Sequence, residues 1–433
     1  MTIMRGQYPE AAGRSVEART DIDTVIVGAG QAGLATSYWL KREGMDHLLF
    51  ERRHTLGGGW QDRWDSFCLN TPNLGITLPG MPYTGPDPDG FMLRDDVVDY
   101  LRRYAGSVGG PVQTDTDVTR VSATESGFGV ETSQGNYRAH NVVLASGAYP
   151  KPKTPAAAAT VPAQIHQLHA HDYRNPSILP DGAVLVVGTG QSGGQIAEEL
   201  LEAGREVHLA VSSCPEAPRR YRGQDLFYWL MQLGLHGSAY GFAPPGPDQL
   251  PSPAARFACN SLLSGRNGGH DICLRELGSR GIRLHGRFEG TDDGALIFSD
   301  DVEDRLRAAE SSFSQRPQPV IDAYIAAAGI NAPADDRAPH TAFAPDSEPR
   351  LRPETADLTS IIWATGYRLD FSWLDLPVLD EWGYPRHDRG VTDHPGLYVV
   401  GLPWLTSQGS SLLAGVGGDA AYISEHLRTR QGS

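Results

Sequence analysis

A glycine-rich turn follows an apolar segment at two places in this chain, about 160 residues apart. Both turns have the pattern Gly-x-Gly-x-x-Gly, with glycines at Gly28, Gly30 and Gly33 in the first turn and at Gly188, Gly190 and Gly193 in the second. The first glycine permits a sharp bend, the second lets a pyrophosphate approach the backbone, and the third lets the following helix pack on the strand. Two copies predict an α/β fold with two Rossmann-like dinucleotide-binding domains, which hold a flavin and a nicotinamide that exchange a hydride.

The residues that open the helix after each turn belong to the same predicted sites. A helix N-terminus presents unpaired N–H groups and the positive end of a dipole to phosphate groups. We add Gln31 to the first site, and Gln191 and Ser192 to the second, as candidate cofactor contacts.

The end of the second strand in each unit predicts which dinucleotide binds there. The apolar run 48–50 leads to Glu51, whose carboxylate can accept hydrogen bonds from the hydroxyl groups of a ribose. The equivalent position in the second unit is Val211, and the candidate phosphate contacts that follow it are Ser212, Ser213, Arg219 and Arg220. Hydroxyl and guanidinium groups suit a 2′-phosphate, whereas a carboxylate would repel it. The sequence therefore predicts FAD at the first site and NADPH at the second.

Composition narrows the choice of partners. With 37 basic and 52 acidic side chains the net charge is −15, which disfavours nucleic acid and anionic membranes. No apolar run approaches the roughly 20 residues that a membrane span needs. The first twenty residues lack the apolar core of a signal peptide, so we predict a flexible tail and a cytoplasmic protein. The four cysteines form no Cys-x-x-Cys, and no metal site is predicted.

Two similar turns suggest where the chain passes between the domains. Strand-like segments at 128–132 and 137–145 lead to Ala145-Ser146-Gly147, and another at 359–364 leads into Ala364-Thr365-Gly366. A last strand at 396–401 and a last helix at 410–427 follow. We predict a tail at 1–20, an FAD-binding domain at 21–155, an inserted NADPH-binding domain with a lid or further insertion at 156–354, and the rest of the FAD-binding domain at 355–433.

Several further motifs resemble those of the class B flavoprotein monooxygenases, specifically the flavin-containing monooxygenase type, along most of the chain. These motifs are Gly57-Gly58-Gly59-Trp60, Leu69-Asn70-Thr71-Pro72, Leu78-Pro79-Gly80-Met81-Pro82, the second glycine turn, and Ala364-Thr365-Gly366-Tyr367. The fingerprint Phe-x-Gly-x-x-x-His-x-x-x-Tyr is matched only in part: His169 and Tyr173 fit, whereas Ala163 and Ile165 replace its first two residues. This departure predicts a divergent branch of the family.

The resemblance implies a reaction and places residues in it. NADPH would reduce FAD, reduced FAD would combine with dioxygen to give a C4a-hydroperoxide, and a nitrogen or sulfur atom of a small molecule would attack the distal oxygen. Asn70 matches the asparagine that the family places near the flavin, so it is the predicted catalytic residue. The remaining predicted flavin or nucleotide contacts are Gly58, Trp60, Ala364, Thr365, Gly366, Gln408 and Ser411, with a helix N-terminus within 409–419 directed at the flavin pyrimidine edge.

Three alternatives remain open at this stage. A Baeyer–Villiger monooxygenase, which acts on a ketone or an imine, has the same fold. A pyridine nucleotide–disulfide reductase shares the two nucleotide motifs but needs a reactive cysteine pair, and no two cysteines are close in the sequence. A flavin sensor would bind FAD tightly and oxidise almost no NADPH. The oligomeric state also stays open, with a homodimer as one possibility.

Overall fold

The computed structural model describes residues 21–242, 245–338, 341–346 and 348–431. The predicted tail at 1–20 lies outside these residues. The helices are α1 Gln31–Arg42, α2 Arg94–Val108, α3 Gln191–Glu202, α4 Leu226–His236, α5 Leu274–Ser279, α6 Val302–Gln315, α7 Pro317–Ala327 and α8 Val416–Gln431. Within the described ranges, none of these helices has both the length and the apolar character needed to cross a membrane.

The first sheet has ten strands, which come from both the first and the last part of the described chain. Its main path runs in the order Leu374–Asp375, Val118–Thr124, Gly127–Thr132, Gly135–Leu144, Asp21–Val27, His47–Phe50 and Val112–Gln113. Strand Leu397–Val399 pairs in parallel with Gly135–Leu144, and the hairpin His387–Asp388 and Val391–Thr392 extends from it. Helix α8 packs on α1. The chain therefore returns to the first domain after the second domain is complete, as the sequence predicted.

The second sheet is a five-stranded parallel sheet. Its order is Arg283–His285, Val207–Ala210, Ala183–Val187, Leu358–Trp363 and His166–His169. The strand that leads into the second glycine turn is central and fully buried. Because parallel strands end at the same edge, the residues after these strands meet at one edge of the sheet.

The remaining strands form three short pairs and one three-stranded group. They are Lys151–Pro152 with Tyr367–Arg368, Arg220–Tyr221 with Gln224–Asp225, Leu263–Ser264 with His270–Asp271, and the three-stranded group Phe288–Asp292, Ala295–Phe298 and Arg350–Leu351. The first of these pairs joins the segments that follow the two similar turns, at 145–147 and 364–366.

Two sequence predictions need correction. The strand Leu358–Trp363, which we placed with the returning part of the first domain at 355–433, pairs with Ala183–Val187 in the second sheet. The last helix does not begin at Ser410. The segment Gln408–Ser411 forms a separate 3₁₀ turn, closed by a capping box at Ser407, and α8 begins at Val416. The other domain bounds remain predictions.

Candidate functional site

The first glycine turn has the close backbone contacts that a phosphate-binding turn requires. Gly28 has φ +105°, and a Cβ atom there would lie 2.5 Å from the carbonyl oxygen of Ala145. A Cβ atom on Gly33 would lie 1.9 Å from the carbonyl oxygen of Gly28. Helix α1 begins after Gly30 with no side-chain cap, so its first N–H groups are free to bind phosphate.

Glu51 lies directly beside this turn. Its buried carboxylate accepts hydrogen bonds from the backbone N–H groups of Ala29, at 3.0 Å, and Arg53, at 3.1 Å. A carboxylate has about four acceptor positions, so it can hold the turn and still accept from a ribose hydroxyl. This geometry fits the predicted ribose contact.

Four other residues predicted at the flavin site form one connected cluster. The Nε2 group of Gln31 donates to the carbonyl oxygen of Ser411 at 2.6 Å, and Trp60 Nε1 donates to Gln31 Oε1 at 3.0 Å. The Cα atom of Gly58 lies 3.8 Å from where a Cβ atom on Gly30 would stand. The fold therefore links the first turn, the turn at 57–60 and the C-terminal segment through side-chain hydrogen bonds.

The second glycine turn repeats the geometry of the first. A Cβ atom on Gly188 would lie 2.7 Å from the carbonyl oxygen of Ala364, and one on Gly193 would lie 1.9 Å from that of Gly188. Helix α3 also begins without a side-chain cap, after Gly190. Gln191, in the first turn of α3, donates to the carbonyl oxygen of Ser261. Ala364 therefore takes the place that Ala145 has in the first unit.

Thr365 and Gly366, which follow Ala364, are hydrogen-bonded to Lys153 in the segment where the chain leaves the first domain. The hydroxyl group of Thr365 donates to the carbonyl oxygen of Lys153, and the N–H group of Lys153 donates to that of Gly366 at 2.9 Å. His169 ends the strand His166–His169 and contacts this turn. Its Nε2 atom is hydrogen-bonded to the Gly366 carbonyl oxygen at 3.0 Å, and its Nδ1 atom accepts from the N–H of His171 at 3.0 Å. Burial lowers the pKa of His169. Because both ring nitrogens are hydrogen-bonded to main-chain atoms, His169 orients the segment that connects the two domains.

Ser212 in the second unit, like Glu51 in the first, accepts a hydrogen bond from the residue after the first glycine of the turn. The N–H group of Thr189 donates to Ser212 Oγ at 3.0 Å, and the N–H group of Ser212 donates to Thr189 Oγ1 at 3.0 Å. A neutral hydroxyl group thus stands where the first unit has a carboxylate, and Ser213 is exposed beside it. Val211, the aligned position, is fully buried in the core. No carboxylate directly follows this strand, and a hydroxyl group does not repel a 2′-phosphate, so the assignment of the phosphate to this position stays a prediction.

The two arginines predicted to clamp this phosphate lie elsewhere. Arg219 is only 1% exposed, forms an ion pair with Asp225 at 3.2 Å, and donates to the carbonyl oxygens of Asn70 and Ser264. Both arginines line a cavity beside Glu198 and Glu202 of α3, roughly two to three helical turns from the glycine turn. Arg220 is exposed there and donates to the carbonyl oxygen of Gly268. The phosphate-clamp prediction is therefore wrong for Arg219, whose charge is used inside the protein, and the position of Arg220 does not support it.

A different arginine lies at the correct edge of the second sheet. Arg287 follows the strand Arg283–His285, which pairs in parallel with Val207–Ala210, so the two strand ends are neighbours. Its side chain is exposed, and no carboxylate of the described ranges lies within ion-pair distance of it. The sequence analysis missed it because only the sheet order places residue 287 beside residue 212.

Asn70 lies at the boundary between the two nucleotide units. Its Oδ1 atom accepts a hydrogen bond from Gln195 of α3 at 2.7 Å, and its carbonyl oxygen accepts one from Arg219 at 2.8 Å. Within the described part of the chain, its Nδ2 group has no hydrogen-bond partner. Asn70 is thus fixed through its two oxygen atoms and keeps a donor free, which fits the role predicted for it.

Two cysteines that are distant in the sequence also meet beside the second turn. Cys214 Sγ donates to the carbonyl oxygen of Asn260, and Cys259 Sγ donates to that of Ser213. The Oδ1 atom of Asn260 in turn accepts from Gln408 Nε2 at 2.7 Å. This contact directs Gln408 towards the second domain.

Comparison with known proteins assigns the family. Residues 25–231 match the family described as pyridine nucleotide-disulphide oxidoreductase. A CzcO-like uncharacterised oxidoreductase of Geobacillus kaustophilus is 33% identical over 404 residues, which cover 93% of this chain and 97% of that protein. The chain belongs to the CzcO-like oxidoreductases.

More distant relatives and structures agree with this assignment. A probable indole-3-pyruvate monooxygenase of Arabidopsis thaliana, YUCCA3, is 25% identical over 424 residues and covers 94% of this chain and 86% of its own length. A flavin-containing monooxygenase structure from Stenotrophomonas maltophilia has a TM-score of 0.58 at 22% identity and covers 95% of this chain and 99% of that chain.

These findings confirm the resemblance to the flavin-containing monooxygenases. The fold is α/β with two Rossmann-like domains, the cofactors are FAD and NADPH, and the protein is a flavin-dependent oxidoreductase of the monooxygenase type.

Proposed function

We propose that this flavin-dependent monooxygenase transfers one oxygen atom of dioxygen to a nitrogen or sulfur atom of a small molecule. The observation that carries this proposal is the free Nδ2 donor of Asn70, held at the boundary between the FAD and NADPH units. When bound, FAD reduced by NADPH activates dioxygen, and the chain must position and shield that chemistry.

Asn70 supplies a neutral hydrogen-bond donor to the reacting oxygen. A preorganised donor is effective because it does not reorient during the reaction. Gln195, which is buried, and Arg219, which is paired with Asp225, hold both oxygen atoms of Asn70 and so fix the direction of its Nδ2 group. The preceding residue, Leu69, is buried in the same core cluster as Ile76, and this apolar core helps to exclude water.

An isosteric substitution tests the neutral donor, because it replaces the amide with a charged group that can only accept hydrogen bonds. Asn70→Asp keeps an oxygen atom for the Gln195 hydrogen bond and removes the Nδ2 donor. We expect the yield of oxygenated product per NADPH to fall about 100-fold, with hydrogen peroxide released instead, while the FAD content and the KM for NADPH stay the same. Asn136→Asp, the same substitution at an exposed position of strand Gly135–Leu144, is the matched control. Unchanged coupling in the Asn70→Asp protein would remove Asn70 from the reaction.

The identity of the products separates the proposal from its alternatives. The wild-type protein is incubated with NADPH, dioxygen and a panel of tertiary amines, sulfides and ketones. N-oxides or sulfoxides would support the proposal, and esters or lactones would replace it with Baeyer–Villiger oxidation. Rapid NADPH oxidation that yields only hydrogen peroxide with every substrate would contradict both reactions.

We further propose that Arg287, together with Ser212 and Ser213, binds the 2′-phosphate of NADPH. Three observations support this assignment: the parallel pairing of the two strands, the exposure of Arg287, and the hydroxyl group at the position of the carboxylate. Arg287→Ala should raise the KM for NADPH by roughly tenfold and leave that for NADH unchanged. Arg283→Ala, at the other end of the same strand, is the control. Equal losses for both nucleotides would contradict the assignment.

A further inference from the structure

Two thiols face each other at the edge of the second sheet, just after strand Val207–Ala210. Cys214 Sγ donates to the carbonyl oxygen of Asn260 at 3.5 Å, and Cys259 Sγ donates to the carbonyl oxygen of Ser213 at 3.4 Å. Each thiol therefore contacts the residue next to the other cysteine. This reciprocal contact brings the sulfur atoms together although the residues are far apart in the sequence.

The pair adjoins the nucleotide turn. The Cβ atom of Cys259 lies 3.9 Å from where a Cβ atom on Gly190 would stand, and Gly190 is the glycine that a pyrophosphate approaches. Ser261, two residues on, accepts a hydrogen bond from Gln191 at the start of α3. A nucleotide bound on this turn would therefore cover Cys259.

The two cysteines differ in exposure and in acidity. Cys259 is partly exposed, whereas Cys214 is buried. The proximity of Cys214 lowers the pKa of Cys259, and the proximity of Cys259, together with burial, raises the pKa of Cys214. The accessible member is thus the better thiolate, and the buried member is placed to attack it after oxidation.

We propose that Cys214 and Cys259 form a reversible disulfide beside the second glycine turn, and that bound pyridine nucleotide protects the pair from oxidation. The oxidant is hydrogen peroxide. The Cys259 thiolate attacks one peroxide oxygen, the O–O bond breaks, and a sulfenic acid and hydroxide form. Cys214 sulfur then attacks the sulfenic sulfur and displaces hydroxide, so two thiols and one peroxide give one disulfide and two water molecules. A small-molecule dithiol reverses the reaction by exchange.

Disulfide formation changes the surroundings of the turn. A disulfide needs its sulfur atoms about 2 Å apart, so Cys259 must move towards Cys214. Asn260 and Ser261, bound to Gln408 and Gln191, would be drawn with it. Because these hydrogen bonds connect the second nucleotide turn to the C-terminal segment of the first domain, oxidation would alter nucleotide binding. A bound nucleotide that covers Cys259 would also slow its oxidation, because the peroxide could not reach the thiolate.

The test uses the FAD-loaded, full-length protein. It is reduced with dithiothreitol, desalted, and treated with hydrogen peroxide with and without NADP⁺. Free thiols are then alkylated, and peptides are mapped by mass spectrometry. We expect a single cross-linked peptide pair joining residues 214 and 259, with two of the four thiols lost. NADP⁺ at ten times its Kd should slow this loss roughly tenfold.

Two variants, one of them with a trapping reagent, test which cysteines react and in what order. Cys273→Ser, which removes a cysteine outside the pair, should give the same cross-link at the same rate. Cys214→Ser should stop at a sulfenic acid on Cys259, which dimedone traps. Failure to form the 214–259 cross-link, a cross-link between other cysteines, or a rate that NADP⁺ does not change would overturn the proposal. So would reopening of the disulfide by NADPH alone under anaerobic conditions, because the pair would then be a redox centre of the flavin.

Discussion

The two glycine turns can be disabled one at a time by the same substitution. A Cβ atom at Gly33 or Gly193 would lie 1.9 Å from a carbonyl oxygen of its own turn, whereas carbon atoms essentially never approach such an atom within 3.0 Å. Gly33→Ala or Gly193→Ala must therefore push the helix start away from the strand by about 1.1 Å. An N–H group that bonds a phosphate at about 2.9 Å would then stand near 4 Å, beyond hydrogen-bond distance.

The expected losses follow from the number of bonds broken. A hydrogen bond to a charged group is worth about 1.5–3 kcal/mol, so losing two of them costs about 3–6 kcal/mol, which is roughly 100- to 10,000-fold in affinity. The Gly33→Ala protein should contain no bound FAD after purification. Gly193→Ala should keep its FAD and lose NADPH binding by that factor.

Flavin absorbance and an anaerobic NADPH titration measure the two effects separately. Gly106→Ala is the control, because it lies in α2 and a Cβ atom there would have no neighbour within 4 Å. The assignment of the two dinucleotides would be refuted if Gly193→Ala lost FAD, or if Gly33→Ala lost only NADPH. Wild-type affinity in both variants would refute the steric reasoning itself.

Two further predictions concern stability. Arg219→Met leaves the buried carboxylate of Asp225 without its partner and should cost about 3–5 kcal/mol in urea unfolding, whereas Arg220→Met, at an exposed position, should change stability by less than about 0.5 kcal/mol. Similar losses in both variants would contradict the buried role of Arg219. Burial raises the pKa of Glu216 to about 7, above its ordinary 4.5, so the folded protein retains a proton that the unfolded chain releases. This contribution to stability is complete below pH 4.5 and is lost as the pH rises to 7. Glu216→Gln should abolish that loss, worth about 3 kcal/mol, in unfolding curves at pH 5 and pH 8, and an unchanged pH dependence would contradict it.

The nucleotide units could be read from the sequence because their requirements are local. Gly28 and Gly188 must adopt positive φ angles, and Gly33 and Gly193 must leave room for a carbonyl oxygen only five residues earlier. Such constraints act within one strand, turn and helix, so a short pattern records them. The position of Glu51 beside the first turn was predictable for the same reason, since Glu51 directly follows the next strand.

The break before the last helix depends on backbone contacts that the residue pattern does not show. The sequence around Gly409 and Gly415 is compatible with a continuous helix. In the fold these glycines pack against each other, with a Cβ atom on Gly415 only 2.3 Å from the Gly409 carbonyl oxygen. That approach, together with the capping box at Ser407, separates the 3₁₀ turn from α8.

The sequence by itself determined that the chain binds two dinucleotides and that a carboxylate, Glu51, follows the second strand of the first unit only. Tertiary structure decided which distant side chains serve those sites. It buried Arg219 against Asp225, placed Arg287 beside Ser212 through the order of strands in the sheet, and joined Cys214 to Cys259. The physical reason is that a turn is fixed by backbone geometry over a few residues. The partner of a side chain, by contrast, is fixed by which elements become neighbours once the core is packed.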